Sequence, residues 1–198
     1  MYIDIVCIKK ALKDILKTHT FRSIVLPADL DFQGHMSNAR YLREADIARC
    51  CFLLHYRIPE VLRTFGGYLV MTSNCCHFFQ PLKVFQRFDI HTRLLGWEDR
   101  FVYLEQRFVQ PSKGFIVATV IGRYNVIGTT PAVLMECLAG TKALHGSSQS
   151  CPFSRVRALL GLLELKVQVE SPELPGEIQH WVKYNSLSSQ RLRAESAI

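Results

Sequence analysis

The sequence predicts an α+β fold in which one antiparallel sheet wraps around a single long helix. Two observations support it: a long stretch with apolar residues at helical spacing, and four β-type runs that follow it at short intervals. A helix followed by such a meander buries its apolar stripe against one face of the sheet. The chain has 198 residues, 48% of them hydrophobic, which is enough for one well-buried core.

The first 17 residues form an amphipathic segment. Ile5, Ile8, Leu12 and Ile15 fall at helical spacing, and the lysines lie mostly off that stripe. Two interpretations stay open: a helix packed on its own domain, or peripheral contact with an anionic membrane surface. The segment lacks the apolar core of a secretory signal, so we expect no signal peptide, and no run in the sequence approaches the ~20 apolar residues of a membrane span.

A short β-type run over 21–27 precedes a polar turn over 28–37, and the long helix follows from Asn38. Pro59 and the pair Gly66 and Gly67 mark the end of the helical region. The predicted apolar stripe of the helix consists of Tyr41, Leu42, Ala45, Ala48, Phe52 and His55.

Four longer β-type runs come next, and the last of them is the most apolar, so we expect it to lie at the centre of the sheet. A tight connection over 96–99 and a turn over 111–114 separate the later runs. The four predicted strands cover 68–79, 84–95, 101–110 and 115–126.

Beyond the sheet, Thr130 is expected to cap a short helix that has Pro131 in its first turn. The stretch 140–154 reads as a loose loop, and 155–169 as either helix or strand. A final helix carries Ile178 and Trp181, and the tail is expected to fray from residue 186. The predicted organisation is an amphipathic segment (1–20), the main domain (21–140), a loop or insertion (141–170) and a C-terminal helix with its tail (171–198).

Composition favours a small anionic ligand over nucleic acid. The net charge of +7 suits phosphates or an anionic membrane, whereas no block of five like charges and no zinc-finger spacing appears. The seven cysteines are odd in number and include no C-x-x-C, which indicates reduced thiols in a cytoplasmic or cytosol-facing protein. Cys75, Cys76 and His77 alternate across a strand and converge poorly on a metal. We therefore expect no metal and no cofactor.

The turn before the long helix is the place for chemistry. Asp31 lies close to the start of the helix, where unpaired backbone N–H groups favour a developing oxyanion. Two interpretations of Asp31 stay open: a catalytic carboxylate, or a turn residue whose side chain bonds the backbone. Asp29 reads as the structural member of the pair, and Ser37 or Asn38 as the helix cap.

Three motifs carry a family resemblance: D-x-D-x-x-G-H-M-x-N-A-R-Y-L at 29–42, L-L-G-W at 94–97 and P-E-L-P at 172–175. The chain resembles the hot-dog thioesterase superfamily in its 4-hydroxybenzoyl-CoA thioesterase-like branch, and within it the thioesterase superfamily member 6 group. The resemblance implies a hot-dog fold, a homodimer or higher homo-oligomer, and an acyl-CoA site at the subunit interface. It implies that Asp31 attacks the thioester carbon or activates water, while the Asn38 amide polarises the carbonyl.

The resemblance implies an acyl-CoA thioesterase in lipid metabolism, with association to the endoplasmic-reticulum membrane as one possible placement. Two alternatives are a catalytically silent protein that binds acyl-CoA or lipid, and a membrane-peripheral scaffold that uses residues 1–17. Four arginines, at 87, 93, 100 and 107, are candidates for CoA phosphates or simply solvated strand positions. The weaker candidates for the substrate pocket are Gly34, His35, Met36, Ser37, Tyr41, Ser73 and Asn74.

Overall fold

The computed structural model describes residues 14–144 and 170–196. Their centre is one five-stranded antiparallel sheet with the strand order β1-β3-β4-β5-β2. The β2 strand follows the long helix in the chain and lies at the sheet edge farthest from β1. The strands are β1 His19–Ile24, β2 Tyr68–Phe78, β3 Arg87–Glu98, β4 Phe101–Gln110 and β5 Phe115–Ile127.

The long helix α1 spans Asn38–His55 and lies against one face of the sheet. Ala45 and Ala48 are fully buried, and their small side chains allow a close approach. That approach lets the Gln106 side chain donate a 2.7 Å hydrogen bond to the Ala45 carbonyl. Of the predicted stripe, the four positions Tyr41, Ala45, Ala48 and Phe52 are buried, Leu42 is half-buried and His55 is exposed.

One acidic residue of α1 is buried. Glu44 lies off the predicted apolar stripe, yet it is only 6% exposed. Its carboxylate accepts a hydrogen bond from the Ser23 hydroxyl (2.9 Å) and pairs with Arg43 (2.8 Å). Partners of this kind allow a charged side chain to stay buried.

Two further helices close one end of the core, α2 at Ile58–Thr64 and α3 at Pro131–Leu144. The Thr130 hydroxyl accepts a hydrogen bond from the Val133 amide (3.4 Å), as expected of its capping position. The predicted loop from residue 140 is wrong in its first part, because α3 continues to Leu144.

The last helix, α4 at Gly176–Ser196, packs on the sheet face opposite α1. The segment just before α4 leaves no room for a side chain at position 96. A Cβ at Gly96 would lie 2.9 Å from the Pro172 carbonyl oxygen and 3.0 Å from the Leu174 side chain. The Trp97 amide also donates to the Ser171 hydroxyl (2.8 Å). The L-L-G-W and P-E-L-P motifs therefore pack against each other.

The predicted α+β class, the antiparallel sheet, the long helix and the C-terminal helix are confirmed. Several details are wrong. The strand expected over 84–95 runs from Arg87 to Glu98, so the connection shrinks to Asp99 and Arg100. The middle strand is β4, and β5 lies between β4 and β2. The tail expected to fray from residue 186 is helical to Ser196.

The predicted segment boundaries stay predictions, because residues 1–13 and 145–169 lie outside the described part of the chain. The helix-or-strand question over 155–169 lies there too. At the N-terminal end of the described chain, Ile15 is buried beside Phe52, and Tyr56 donates a 2.9 Å hydrogen bond to the Asp14 carbonyl. Within the described ranges, no helix is long and apolar enough to cross a membrane.

Candidate active site

The polar turn before α1 is a compact backbone loop. The Asp31 amide donates to the His35 carbonyl (2.9 Å), and the Gly34 amide donates back to the Asp31 carbonyl (3.1 Å). Gly34 adopts a φ of +75°, a conformation that costs a residue with a side chain about 1–2 kcal/mol. The turn therefore places the side chains of Asp31 and His35 next to each other.

Asp29 is built into the fold. Its side chain is 4% exposed, and its Oδ2 accepts a hydrogen bond from the Leu26 amide (2.9 Å). Its Oδ1 accepts from the Arg43 guanidinium (2.8 Å), and its carbonyl accepts from the Ser37 amide (2.9 Å). Asp29 ties the end of β1 to the first turns of α1, as expected of the structural member of the pair.

The two carboxylate oxygens of Asp31 have different surroundings: one accepts a hydrogen bond within the turn, and the other lies beside His35. Its Oδ1 accepts a hydrogen bond from the Gln33 amide (2.9 Å), which is the geometry of an Asx turn. Its Oδ2 lies 3.3 Å from His35 Nδ1, in a contact that lacks hydrogen-bond alignment. The other ring nitrogen of His35 lies 2.8 Å from the Gln33 side-chain oxygen. Asp31 is 25% exposed, so water reaches the carboxylate.

The first turn of α1 presents its backbone amides beside this loop. Ser37 occupies the N-cap position but makes no side-chain capping bond, and its carbonyl accepts from the Arg40 amide (2.8 Å). The Asn38 amide, one residue into the helix, has no acceptor among the described residues. The helix dipole adds partial positive charge at this position.

An open groove of about 220 Å³ lies between the start of α1 and the segment that ends β2. The helix side contributes His35, Asn38 and Tyr41, and the end of β2 contributes an aromatic wall of Phe78 and Phe79. The lining residues are His35, Met36, Asn38, Tyr41, Phe78, Phe79, Gln80 and Pro81.

Tyr41 forms the closed inner wall of the groove. Its ring lies edge-to-face with Phe78 (5.3 Å between centroids) and with Phe108 (5.2 Å). Its hydroxyl accepts a hydrogen bond from the Leu82 amide (3.2 Å). Burial raises the pKa of the Tyr41 hydroxyl above its ordinary value, so this group stays protonated at neutral pH.

The structure brings several of the candidate residues together. His35, Met36 and Tyr41 line the groove with Asn38, and Asp31 contacts it through His35. Gly34 and Ser37 shape the turn and the helix start. The other two candidates, Ser73 and Asn74, lie in the middle of β2, where they pair with Arg123 and Gly122, and they do not line this groove.

The sequence analysis missed the four groove residues from Phe78 to Pro81. The available signal was the aromatic pair Phe78 and Phe79, which lies two residues before Pro81, where a strand must end. Sequence alone did not place them beside α1, because that depends on β2 occupying the edge of the sheet.

Two of the four candidate arginines and one candidate cysteine have partners within the fold. Arg93 and Arg107 both pair with Glu105, the latter at 3.0 Å. Cys75 Sγ lies 4.0 Å from His77 Nε2, whereas Cys76 packs against the core. In residues 14–144 and 170–196, no group of three or more His, Cys, Asp or Glu side chains is placed to hold a metal ion.

Comparison with known proteins identifies the family. The family model described as "Thioesterase-like superfamily" matches residues 25–182. The chain belongs to this superfamily. It is 38% identical over 191 residues to Protein THEM6 of Xenopus laevis, which covers 96% of this chain and 80% of that protein. The match includes the turn, the groove and α4.

Solved structures of thioesterases share the hot-dog fold of this chain. A 1,4-dihydroxy-2-naphthoyl-CoA thioesterase from Synechocystis superposes with a TM-score of 0.54 at 14% identity, covering 62% of this chain and 95% of that one. A hypothetical protein from Staphylococcus aureus, solved in complex with CoA, gives a TM-score of 0.55 at 12% identity, covering 70% and 91%. At such identities the likeness concerns the fold alone.

Proposed function

We propose that this protein hydrolyses acyl-CoA thioesters in the groove at the start of α1. One observation carries the proposal: His35 lines the groove beside Asn38 and contacts the Asp31 carboxylate at 3.3 Å. A carboxylate, an imidazole and an unpaired helix amide therefore adjoin one open groove. Membership of the thioesterase-like superfamily supports thioester chemistry in particular.

In the proposed reaction, Asp31 Oδ2 takes a proton from a water molecule, and the water oxygen adds to the thioester carbonyl carbon. The tetrahedral intermediate then collapses, the C–S bond breaks, and the Asp31 carboxyl returns the proton to the CoA thiolate. The products are a carboxylic acid and free CoA. Direct attack by Asp31 through a mixed anhydride gives the same products after water cleaves the anhydride.

The Asn38 amide is the proposed donor to the oxygen of that intermediate. Removal of one such donor typically costs roughly 100- to 1,000-fold in turnover, because the donor is positioned before charge develops. The dipole of α1 acts in the same direction. No side chain has to move for this role, since the amide is fixed by the helix.

A homodimer is part of the proposal, and two features of β2 support it. The strand is eleven residues long and lies at the sheet edge, so its outer backbone groups have no strand partner among the described residues. Its side chains include exposed apolar groups, with Tyr68 at 59% and Val70 at 40%. Pairing of two β2 strands would bring a second subunit against the groove wall formed by Phe78 and Phe79.

The test is turnover of purified full-length protein with short, medium, long and aromatic acyl-CoAs, followed by chromatography of the released acid and CoA. Asp31→Asn keeps an oxygen for the Gln33 amide but loses the base. We expect its turnover to fall by roughly 100- to 10,000-fold. The matched control is Asp46→Asn, which makes the same change at an exposed carboxylate of α1 that pairs with Arg49, and it should retain wild-type turnover. Equal turnover of Asp31→Asn and wild type would refute the assignment.

A second candidate is a protein that binds acyl-CoA or lipid without turnover. Two observations favour it: among the described residues no carboxylate lines the groove directly, and one oxygen of Asp31 is held in the Asx turn. Saturable binding of acyl-CoA with no acid released by wild type would select this candidate over hydrolysis. A scaffold role for residues 1–17 and placement at the endoplasmic reticulum remain predictions that the described residues do not address.

A further inference from the structure

Apolar side chains project into water from two loops, 25–37 and 79–86, at the end of the molecule where α1 begins. Phe32 is 96% exposed, Phe85 65%, Leu26 49% and Val84 37%. We name these four side chains the apolar rim. Monomeric surfaces commonly carry single exposed hydrophobic residues, but a group of four at one end indicates an interaction site.

Backbone hydrogen bonds join the two loops into one unit. The Phe85 amide donates to the Val25 carbonyl (2.8 Å), and the Met36 amide donates to the Leu82 carbonyl (2.8 Å). An isolated β-bridge also pairs His35 with Lys83. The apolar rim is therefore presented by connected segments at one end of the protein, and each tip is held by its neighbours.

Phe85 is exposed at a local energetic cost. Its φ is +60°, in the left-handed region, where a bulky residue costs about 1–3 kcal/mol. The Phe85 ring is nevertheless mostly in water, so burial of the ring within the described fold does not offset that cost. Burial of the Phe85 ring, which would stabilise this conformation, requires contact with something outside the described residues.

Three exposed side chains beside the apolar rim are basic. Arg22, Lys83 and Arg87 are exposed, and none forms an ion pair with a described residue. Two half-buried acidic side chains lie nearby: Asp31, which precedes Phe32 and contacts His35, and Asp89, which faces Arg22 across β1 and β3. The whole chain carries a net charge of +7. An anionic partner is therefore favoured.

We propose that the apolar rim docks this protein on an anionic lipid bilayer. Apolar tips on separate loops, surrounded by unpaired cations, suit insertion into a soft interface better than contact with a flat protein surface. Each basic side chain adds roughly 1 kcal/mol of attraction near an anionic surface. The groove residue His35 forms a β-bridge with Lys83, which is adjacent to the apolar rim residue Val84. Docking would therefore turn the groove toward the source of membrane-borne acyl chains.

Flotation of the full chain with lipid vesicles tests this proposal. The vesicles are phosphatidylcholine with and without phosphatidylserine, at low and high salt. We expect binding that requires phosphatidylserine and weakens with salt. The double variant Phe32→Ser with Phe85→Asn should bind at least about tenfold more weakly, because two apolar side chains are lost. Asparagine tolerates the left-handed backbone at this position, so the fold is kept.

Two matched variants make the result specific. Tyr184→Ser with Leu187→Ser removes two comparably exposed apolar side chains from α4 (66% and 56% exposed) and should bind like wild type. Lys83→Glu with Arg87→Glu should lose the phosphatidylserine-dependent part of binding. All variants retain residues 1–17, so a loss cannot come from that segment.

The proposal is overturned if wild type does not float, if binding ignores phosphatidylserine, or if the rim variant floats like wild type. Equal losses in the rim and α4 variants would also overturn it. Light scattering of the same samples detects the competing occupant: if the rim variant turns a dimer into a monomer, the apolar rim is an interface between two copies. Turnover in solution is measured separately, so failure of docking leaves the hydrolase proposal unaffected.

Discussion

Two aspartates two residues apart have opposite surroundings in this protein. Asp29 is buried, and both of its carboxylate oxygens accept hydrogen bonds from within the fold, one from the Leu26 amide and one from Arg43. Asp31 is partly exposed and commits one oxygen to the Gln33 amide, while the other lies 3.3 Å from Nδ1 of the groove residue His35. The difference teaches that a polar atom with a full set of internal partners maintains the fold, whereas one with an open side is available for chemistry.

Asp29→Ala tests the structural half of this comparison and has the largest expected effect on stability. The substitution leaves the Leu26 amide without its acceptor and Arg43 without its partner. We expect the free energy of unfolding to fall by about 3 kcal/mol, measured by denaturant titration. Asp31→Ala is the control and should lose less than about 1 kcal/mol, because its lost partner is exposed. Equal losses would remove the distinction between the two carboxylates.

Tyr41→Phe sharpens the comparison with a smaller effect. Tyr41 lines the groove, but its hydroxyl is already bonded to the Leu82 amide. Removing the hydroxyl leaves that buried amide without an acceptor, so we expect a loss of about 1–2 kcal/mol in unfolding free energy. Turnover at saturating acyl-CoA should stay within about twofold of wild type. A large loss of turnover with unchanged stability would instead place the phenol in the reaction.

Local patterns predicted the fold well where periodicity and turn residues determine structure. The stripe from Tyr41 to Phe52 and the capping position of Thr130 depend on neighbours along the chain, so sequence reveals them. Strand order does not follow from apolarity: the run 115–126 is more apolar than β4, yet β4 occupies the middle of the sheet. The burial of Glu44 depends on Ser23, which lies twenty-one residues away, and no local pattern indicates it.

The candidate site divides in the same way. The turn around Asp31 and the start of α1 are contiguous in sequence, so their proximity was predictable. The aromatic wall of the groove comes from the end of β2. The predicted pocket residues Ser73 and Asn74 belong to the same strand but do not line the groove. Which part of β2 reaches the helix depends on sheet register, including the irregularity between Met71 and Ser73. That register is a tertiary property.

The central claim is that a thioester carbonyl binds between Asp31 and the Asn38 amide. A crystal structure with an acyl-CoA analogue, in which a methylene replaces the thioester sulfur and the carbonyl is kept, tests it most directly. We predict the carbonyl oxygen within hydrogen-bond distance of the Asn38 amide and the carbonyl carbon facing Asp31 Oδ2, directly or through one water. An analogue whose carbonyl lies away from both groups, with the acyl chain outside the groove, would contradict the account.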